Sequence, residues 1–297
     1  AIHERMPNPA RKFLLAGRGG LNLTHSEPLD EFLTRYGDAR ARLEPAMRAF
    51  TPGDLRAWCE GLGVETFVGS SGRVFPKAMK ASPLLRAWLA RLGGLGVGLV
   101  SRSRWTGWDG EALTFETPDG ARREEADAVV LALGGASWPR LGSDGSWVEL
   151  LSARGVGVAP LRPANSGFTV SWSSIFGEKF AGEPIKAAVY RFGGREAQGD
   201  AIIASYGIEG GAIYAIGAAL REAIAAHGEA VLEIDLMPGV AMEALAKRLE
   251  AGRKDSLSNR LRKAGLAPAA AGLLREDERG PALPADALRL THRIKQA

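Results

Sequence analysis

The stretch Arg11–His25, RKFLLAGRGGLNLTH, gathers residue types that suit an anion or the edge of a planar ring. Arg11 and Lys12 open a short apolar segment. Gly17, Gly19 and Gly20 surround Arg18, and Asn22, Thr24 and His25 follow with side-chain donors. Residues without a Cβ let backbone N–H groups approach a bound group, and successive N–H groups make an anion seat. A glycine-rich helix end running into a solvated loop has the same composition, so both readings stand.

A second group is Gly134-Gly135-Ala136-Ser137-Trp138-Pro139, directly after the apolar run Ala128–Leu133. Ligands of open α/β sheets bind just beyond the carboxyl ends of strands, where paired glycines admit a flat molecule. Asp144, in Gly142-Ser143-Asp144-Gly145-Ser146, stands where it can cap a helix beginning at Trp147 and expose amides to an anion. The alternative is an ordinary strand-turn-helix connection. Glu4 closes the strand-like start Ala1–Glu4. In a dinucleotide-binding fold such an acid holds ribose hydroxyls, about 20 residues after a glycine-rich turn; otherwise it only solvates a strand end. The full G-x-G-x-x-G does not occur in the 297 residues. Tyr206, in Tyr-Gly-Ile-Glu-Gly-Gly211, can face a substrate, or its turn exists only for close helix packing. Tyr206 and His25 are the candidate catalytic residues.

Other chemistries find no pattern. G-x-S-x-G and the phosphate loop G-x-x-x-x-G-K-[ST] are absent, and His3, His25, His227 and His292 show no metal-binding spacing. No metal is expected. Cys59 is the single cysteine, which excludes an internal disulfide framework and fits a reducing, cytoplasmic setting. The longest stretch free of Asp, Glu, Lys and Arg, Pro163–Gly177, is fifteen residues and too polar to span a bilayer. Lys and Arg (38) exceed Asp and Glu (34) by a formal charge of only +4, spread along the chain, and do not indicate nucleic acid.

These residues need elements to hold them. The pattern predicts a strand at Ala1–Glu4 and helices at Ala10–Ala16, Pro28–Tyr36 and Ala39–Phe50. A further helix starts at Pro52, with Thr51 as N-cap and Asp54 completing a capping box. Val64–Val68 and Arg73–Phe75 read as short strands and Ser82–Leu92 as an amphipathic helix. Val97–Ser103, Ala112–Thr117 and Ala128–Leu133 read as strands, the last buried on both faces of a parallel sheet. Trp105 and Trp108 fall in an apparent β-turn and serve packing. Strands return at Gly167–Ser171, Ile185–Tyr190, Ala201–Ala204 and Val231–Asp235, around a buried helix Gly211–Ala226. From Val240 the chain is helical, with Ala287, Leu290 and Ile294 as a buried stripe. The expected architecture is an α/β domain over residues 1–163 and an α+β domain over 164–297, β-rich to about residue 235 and then helical. Glycine is frequent at 38 of 297 residues, about 13% against a usual ~7%, which calls for many turns or close backbone approaches.

Arg11–His25, Ala132–Gly145, Ala164–Phe168 and Ser205–Ala212 together, in collinear order, resemble a family of bacterial NAD(P)/FAD-dependent oxidoreductases. These are flavoproteins of the aminoacetone-oxidase-like and bile-acid-reductase-like kind, in the subgroup that carries AGRGGLNLTHSEP. The resemblance implies a Rossmann-like FAD-binding domain with an inserted α+β domain. It implies FAD as cofactor, a small-molecule substrate, NAD(P)H as a candidate electron donor, and neither nucleic acid nor membrane as partner. Glu4 would then hold the adenosine ribose, with Arg11 and Lys12 along the cofactor. Gly17, Gly19, Gly20 and Asn22 would line the flavin side, and Gly134 and Gly135 would pass beside the adenine-to-pyrophosphate stretch, with Asp144 kept as a cofactor-binding candidate through its anion seat. Members of the family open with a βαβ unit bearing G-x-G-x-x-G and end with a segment closing over the flavin. This sequence resembles the middle of such a protein, an incomplete FAD domain, and by itself is expected to hold FAD weakly. Leu21 stands where related members carry cysteine, so thiol chemistry is not implied. A flavin-free nucleotide-binding or scaffold protein with the same fold is the alternative.

Overall fold

The computed structural model describes residues 1–17, 19–276 and 283–297. The chain forms two compact units, Ala1–Leu161 and Arg162–Ala297.

In the first unit β1 (Ile2–Glu4) runs parallel to a strand almost a hundred residues later, pairing Ile2 with Leu99 and Glu4 with Ser101. Between them come α1 (Arg11–Ala16), β2 (Thr24–His25), α2 (Leu29–Thr34), α3 (Arg40–Ala49), α4 (Pro52–Gly61), β3 (Thr66–Val68), β4 (Arg73–Pro76) and α5 (Ala81–Gly94). The partner of β1 is β5 (Leu99–Ser101). The strands β2, β4 and β3 form a small antiparallel sheet in that order. α4 begins as the sequence predicts. The Asp54 amide donates to Thr51 Oγ1 at 3.2 Å and the Thr51 amide donates to Asp54 Oδ2 at 2.8 Å, a reciprocal capping box. Cys59 on α4 is buried with Leu21, Ala81 and Leu84, and this desolvation raises its thiol pKa.

An antiparallel meander follows, β6 (Arg104–Asp109), β7 (Ala112–Thr117) and β8 (Gly120–Glu124). Two expectations fail here. Trp105 and Trp108 lie in β6, not in a turn. A register shift between Trp105 and Gly107 bulges the strand, and the two indoles meet edge to face at 4.7 Å. Ala128–Leu133 is not a buried strand. Among the described residues no strand pairs with it, and Val130 is 91% exposed. A continuous apolar run becomes a central parallel strand only where neighbours supply a ladder and helices cover both faces. α6 (Trp147–Ser152) closes the unit.

The second unit carries a five-stranded antiparallel sheet. Its elements are β9 (Phe168–Thr169), α7 (Ser174–Phe180), β10 (Pro184–Phe192), β11 (Arg195–Ala204), β12 (Gly207–Glu209), α8 (Gly211–His227) and β13 (Glu233–Asp235), with strand order β13-β10-β11-β12-β9. α8 lays Ile213, Ile216 and Leu220 on β10 and β11. Gly207 permits the β12–β9 pairing: its φ is +153°, and a Cβ there would stand 2.0 Å from Phe168 O. The helices α9 (Met242–Ala251), α10 (Leu257–Ala264), α11 (Pro268–Leu273) and α12 (Ala287–Lys295) complete the core. α12 buries Ala287, Leu290, Thr291 and Ile294, and Lys295 reaches Asp235 at the end of β13 at 2.8 Å.

The stripe on α12 sets a test. Leu290 is fully buried whereas Leu288, two residues earlier, is 57% exposed. Leu290→Ala should destabilise the protein by about 2–5 kcal/mol through lost burial and the cavity left behind. Leu288→Ala should stay within about 0.5 kcal/mol of the parent in the same urea titration.

Candidate functional site

At the carboxyl end of β1 the chain turns sharply. Glu4 is half-buried, and its Oε1 accepts the Met6 amide at 2.7 Å, leaving Oε2 without a hydrogen bond among the described residues. The Ser103 amide donates to the Glu4 carbonyl at 3.0 Å, which ties the turn to the start of β6. The next residue, Arg5, donates through Nη1 to Asp144 Oδ2 at 2.5 Å, and Asp144 Oδ1 accepts the Ser146 amide at 3.1 Å. The Arg5 guanidinium, aided by Ser146, holds the Asp144 carboxyl down at about 2. Asp144 is therefore not the N-cap of α6: that position is Ser146, whose side chain makes no cap bond. The acid is committed instead to an Asx-type turn and to Arg5.

The segment 134–147 folds on itself against this turn. Ser143 Oγ and the Gly145 amide donate to the Gly135 carbonyl at 3.0 and 3.1 Å, and Trp147 Nε1 donates to the Gly134 carbonyl at 3.1 Å. Trp138 and Ser143 exchange backbone hydrogen bonds. Left-handed backbone at Gly134, Gly142 and Gly145 allows the tight path, and a Cβ on Gly142 would stand 3.1 Å from Met6. From α1, Lys12 Nζ donates to Ser137 Oγ at 2.6 Å. Arg11 is exposed beside it on the first turn. Glu4, Lys12, Gly134, Gly135 and Asp144 are thus held together by one network. Ser137, inside the Gly134–Pro139 motif, completes it with Arg5 and Met6, which no motif in the sequence singles out. Only the opposite charges of Arg5 and Asp144 hinted at a pairing.

The glycines after α1 divide by role. Gly17 is buried, and a Cβ there would fall 2.5 Å from that of Ala81, so its small size serves the packing of α1 on α5 and leaves it no open face for a ligand. Gly20 takes φ +112° beside Met79 and Phe75. Gly19 has open space where a Cβ would be, and Arg18 between them lies outside the described residues. Asn22 brings its amide to an apolar groove of about 520 Å³, lined by Phe13, Leu23, Phe50, Trp58 and Trp88.

Both candidate catalytic residues are engaged in local hydrogen bonds. His25 Nε2 donates to the Ser71 carbonyl at 3.0 Å, and its Nδ1 accepts the Glu27 amide at 3.2 Å. The ring straps β2 to the turn before β4, and Gly72 is required beneath it, since a Cβ there would lie 2.6 Å from His25 Cε1. Tyr206 lies in the second unit and donates its hydroxyl to Glu209 Oε2 at 2.5 Å. That carboxylate raises the phenol to about 12, so Tyr206 stays neutral near neutral pH. Among the described residues no three or more His, Cys, Asp or Glu side chains gather as a metal site, and no helix is long and apolar enough to cross a membrane.

Two comparisons bear on this geometry. The profile of the HI0933-like protein Rossmann domain matches residues 1–259. The 3-dehydro-bile acid delta(4,6)-reductase of Clostridium scindens is 27% identical over 241 residues, which cover 80% of this chain and 58% of the reductase. The chain spans less than two thirds of the length of that relative.

The Arg5–Asp144 pair is testable by titration. Because the folded-state pKa of Asp144 is depressed, the pair stabilises the fold fully above the ordinary Asp range, and that contribution disappears as pH falls from about 4 to about 2. The carboxyl carbon of Asp144, followed by NMR, should titrate at about 2 in the parent. In Arg5→Ala it should move up toward the ordinary value of 3.8.

Proposed function

The chain belongs to the HI0933-like family, and on that premise we propose that it is the cofactor-holding part of an FAD-dependent oxidoreductase that reduces a small organic substrate. The observation that carries the reading is the convergence of Glu4, Lys12 and the Gly134–Ser146 segment at the carboxyl end of a parallel strand. In a Rossmann domain that position receives the adenosine and phosphate part of a dinucleotide. The residues suit it. Glu4 keeps one carboxylate oxygen for ribose hydroxyls. Lys12 and the exposed Arg11 bring positive charge for phosphates. Gly19 and Gly135 each leave open the space that a Cβ would fill.

FAD, when bound, supplies two-electron chemistry at its ring; the protein binds it, orients it and keeps water out. In this proposal Glu4 fixes the sugar through Oε2 while Met6 N–H holds Oε1, and Lys12 aligns the phosphates from its seat on Ser137. The groove beside Asn22, walled by Trp58, Trp88 and Phe13, offers an apolar surface for a ring or an apolar substrate. NAD(P)H is the electron donor in this reading. The Clostridium scindens relative, named for reduction of a 3-dehydro-bile acid, supports an apolar small molecule as the class of substrate. His25 and Tyr206 are not assigned proton transfer.

The test uses the gene product at its encoded length. After reconstitution with FAD it should show the visible flavin bands, released as free FAD on denaturation. Glu4→Gln combined with Lys12→Met should weaken FAD binding by at least about tenfold, the size expected for two lost charge-assisted contacts, with the unfolding midpoint unchanged. A reconstituted protein that holds no flavin would favour a flavin-free binding protein with this fold.

A further inference from the structure

The second unit contains a groove that the cofactor reading leaves unused. It lies among α7, α10 and α11 and has a volume of about 420 Å³. Its floor is apolar and closely fitted. Phe176 and Phe180 meet at 5.1 Å, and Gly272 on α11 admits them, since a Cβ at that position would lie 2.6 Å from Phe180 and 3.0 Å from Phe176. Leu266 lies beneath the groove, buried, whereas Ile175 stands at its edge 77% exposed. An aliphatic side chain so exposed beside an apolar groove offers surface to a partner.

The rim is cationic. Among the described residues, Lys179, Arg262 and Arg275 line it against one carboxylate, Glu276. That carboxylate is already engaged, because Glu276 accepts from the Ser173 amide at 2.7 Å and from Ser173 Oγ at 2.9 Å, holding the start of α7. Arg275 is fixed by donating to the Ala271 carbonyl at 2.9 Å and to Ser258 Oγ at 3.2 Å. Lys179 lies over the Phe180 ring at 5.2 Å. Arg262 is exposed and forms no ion pair among the described residues. A guanidinium with no ion-pair partner among the described residues, lining the same groove as two aromatic rings and two further cations, is complementary to a single anionic head on an apolar body.

We propose that this groove binds an amphipathic carboxylate, its apolar body on Ile175, Phe176 and Phe180 and its head group on Arg262. The volume is that of a small-molecule site and too small for a folded partner. One guanidinium outside any ion pair among the described residues suits one carboxylate, and the apolar floor opposes a polyanion such as nucleic acid. The inference does not rest on the flavin reading, because every group it uses lies in the second unit.

The test is calorimetric, on the intact protein without added cofactor. Dodecanoate below its micellar concentration should bind saturably at one site, and dodecyltrimethylammonium should not. Arg262→Glu and Ile175→Asp, both at exposed positions, should each weaken dodecanoate binding by about tenfold or more while the thermal midpoint stays put. Equal binding of the cationic amphiphile would overturn the proposal, as would dodecanoate binding indifferent to both substitutions or absent altogether. Self-association of the parent that the same variants abolish would overturn it too, assigning the groove to a second copy of the chain.

Discussion

The arrangement at the end of β1 depends on one ion pair between residues far apart in sequence. Arg5 and Asp144 are 139 positions apart, and their contact brings the 134–147 segment onto the strand end. A partly exposed pair of this kind stabilises by no more than about 1 kcal/mol, so it cannot by itself hold the fold together. Its importance is geometric. The guanidinium fixes the acid, the acid fixes the Ser146 amide, and the internal hydrogen bonds to the Gly134 and Gly135 carbonyls set the rest of the segment. Met6 against Gly142 and Lys12 on Ser137 add two further anchors. Without the pair, Glu4 would still end a strand, but of the charged anchors only Lys12 on Ser137 would hold the segment toward it.

That division between stability and positioning recurs in the second unit. There the burial is extensive and the polar anchoring local. Ile213, Ile216, Leu245, Leu249, Leu261, Leu290 and Ile294 are essentially inaccessible, and their transfer from water supplies the driving force. Arg260, 4% exposed, survives among them because Nε donates to the Leu249 carbonyl at 2.7 Å and Nη1 to Ala285 at 2.6 Å. A buried cation so placed joins three segments by their backbone, which apolar contacts do less specifically.

Much of this was legible in the sequence where a local rule decides. The Thr51–Asp54 box, the amphipathic stripe of α12 and the apolar helix α8 depend on neighbours within a few residues, and they form where the pattern puts them. Signals that need a distant partner misled. Ala128–Leu133 has the composition of a buried parallel strand, yet composition carries no information on whether a neighbour pairs with it. Trp105 and Trp108 look like turn residues because Gly107 separates them, whereas the bulge at that glycine keeps them in a strand. Arg5 escaped notice because its role is created by a residue 139 positions away.

The glycine excess shows how far a composition can be taken. Some glycines are required by backbone conformation, as at Gly134 and Gly145; others by packing, as at Gly17 under Ala81 and Gly272 under two phenylalanines. Neither demand points to a ligand. Gly19 and Gly135 fall outside both classes, with no left-handed φ and nothing near the missing Cβ. Gly98 and Gly157, outside the segments singled out in the sequence, share that property, so open space alone does not define a site. What distinguishes Gly135 is its carbonyl, bound by Ser143 and Gly145, in a segment that Arg5 and Lys12 hold against Glu4. The meaning of a glycine motif therefore resides in the polar network that fixes its neighbours, and in this chain that network forms at the end of a parallel strand.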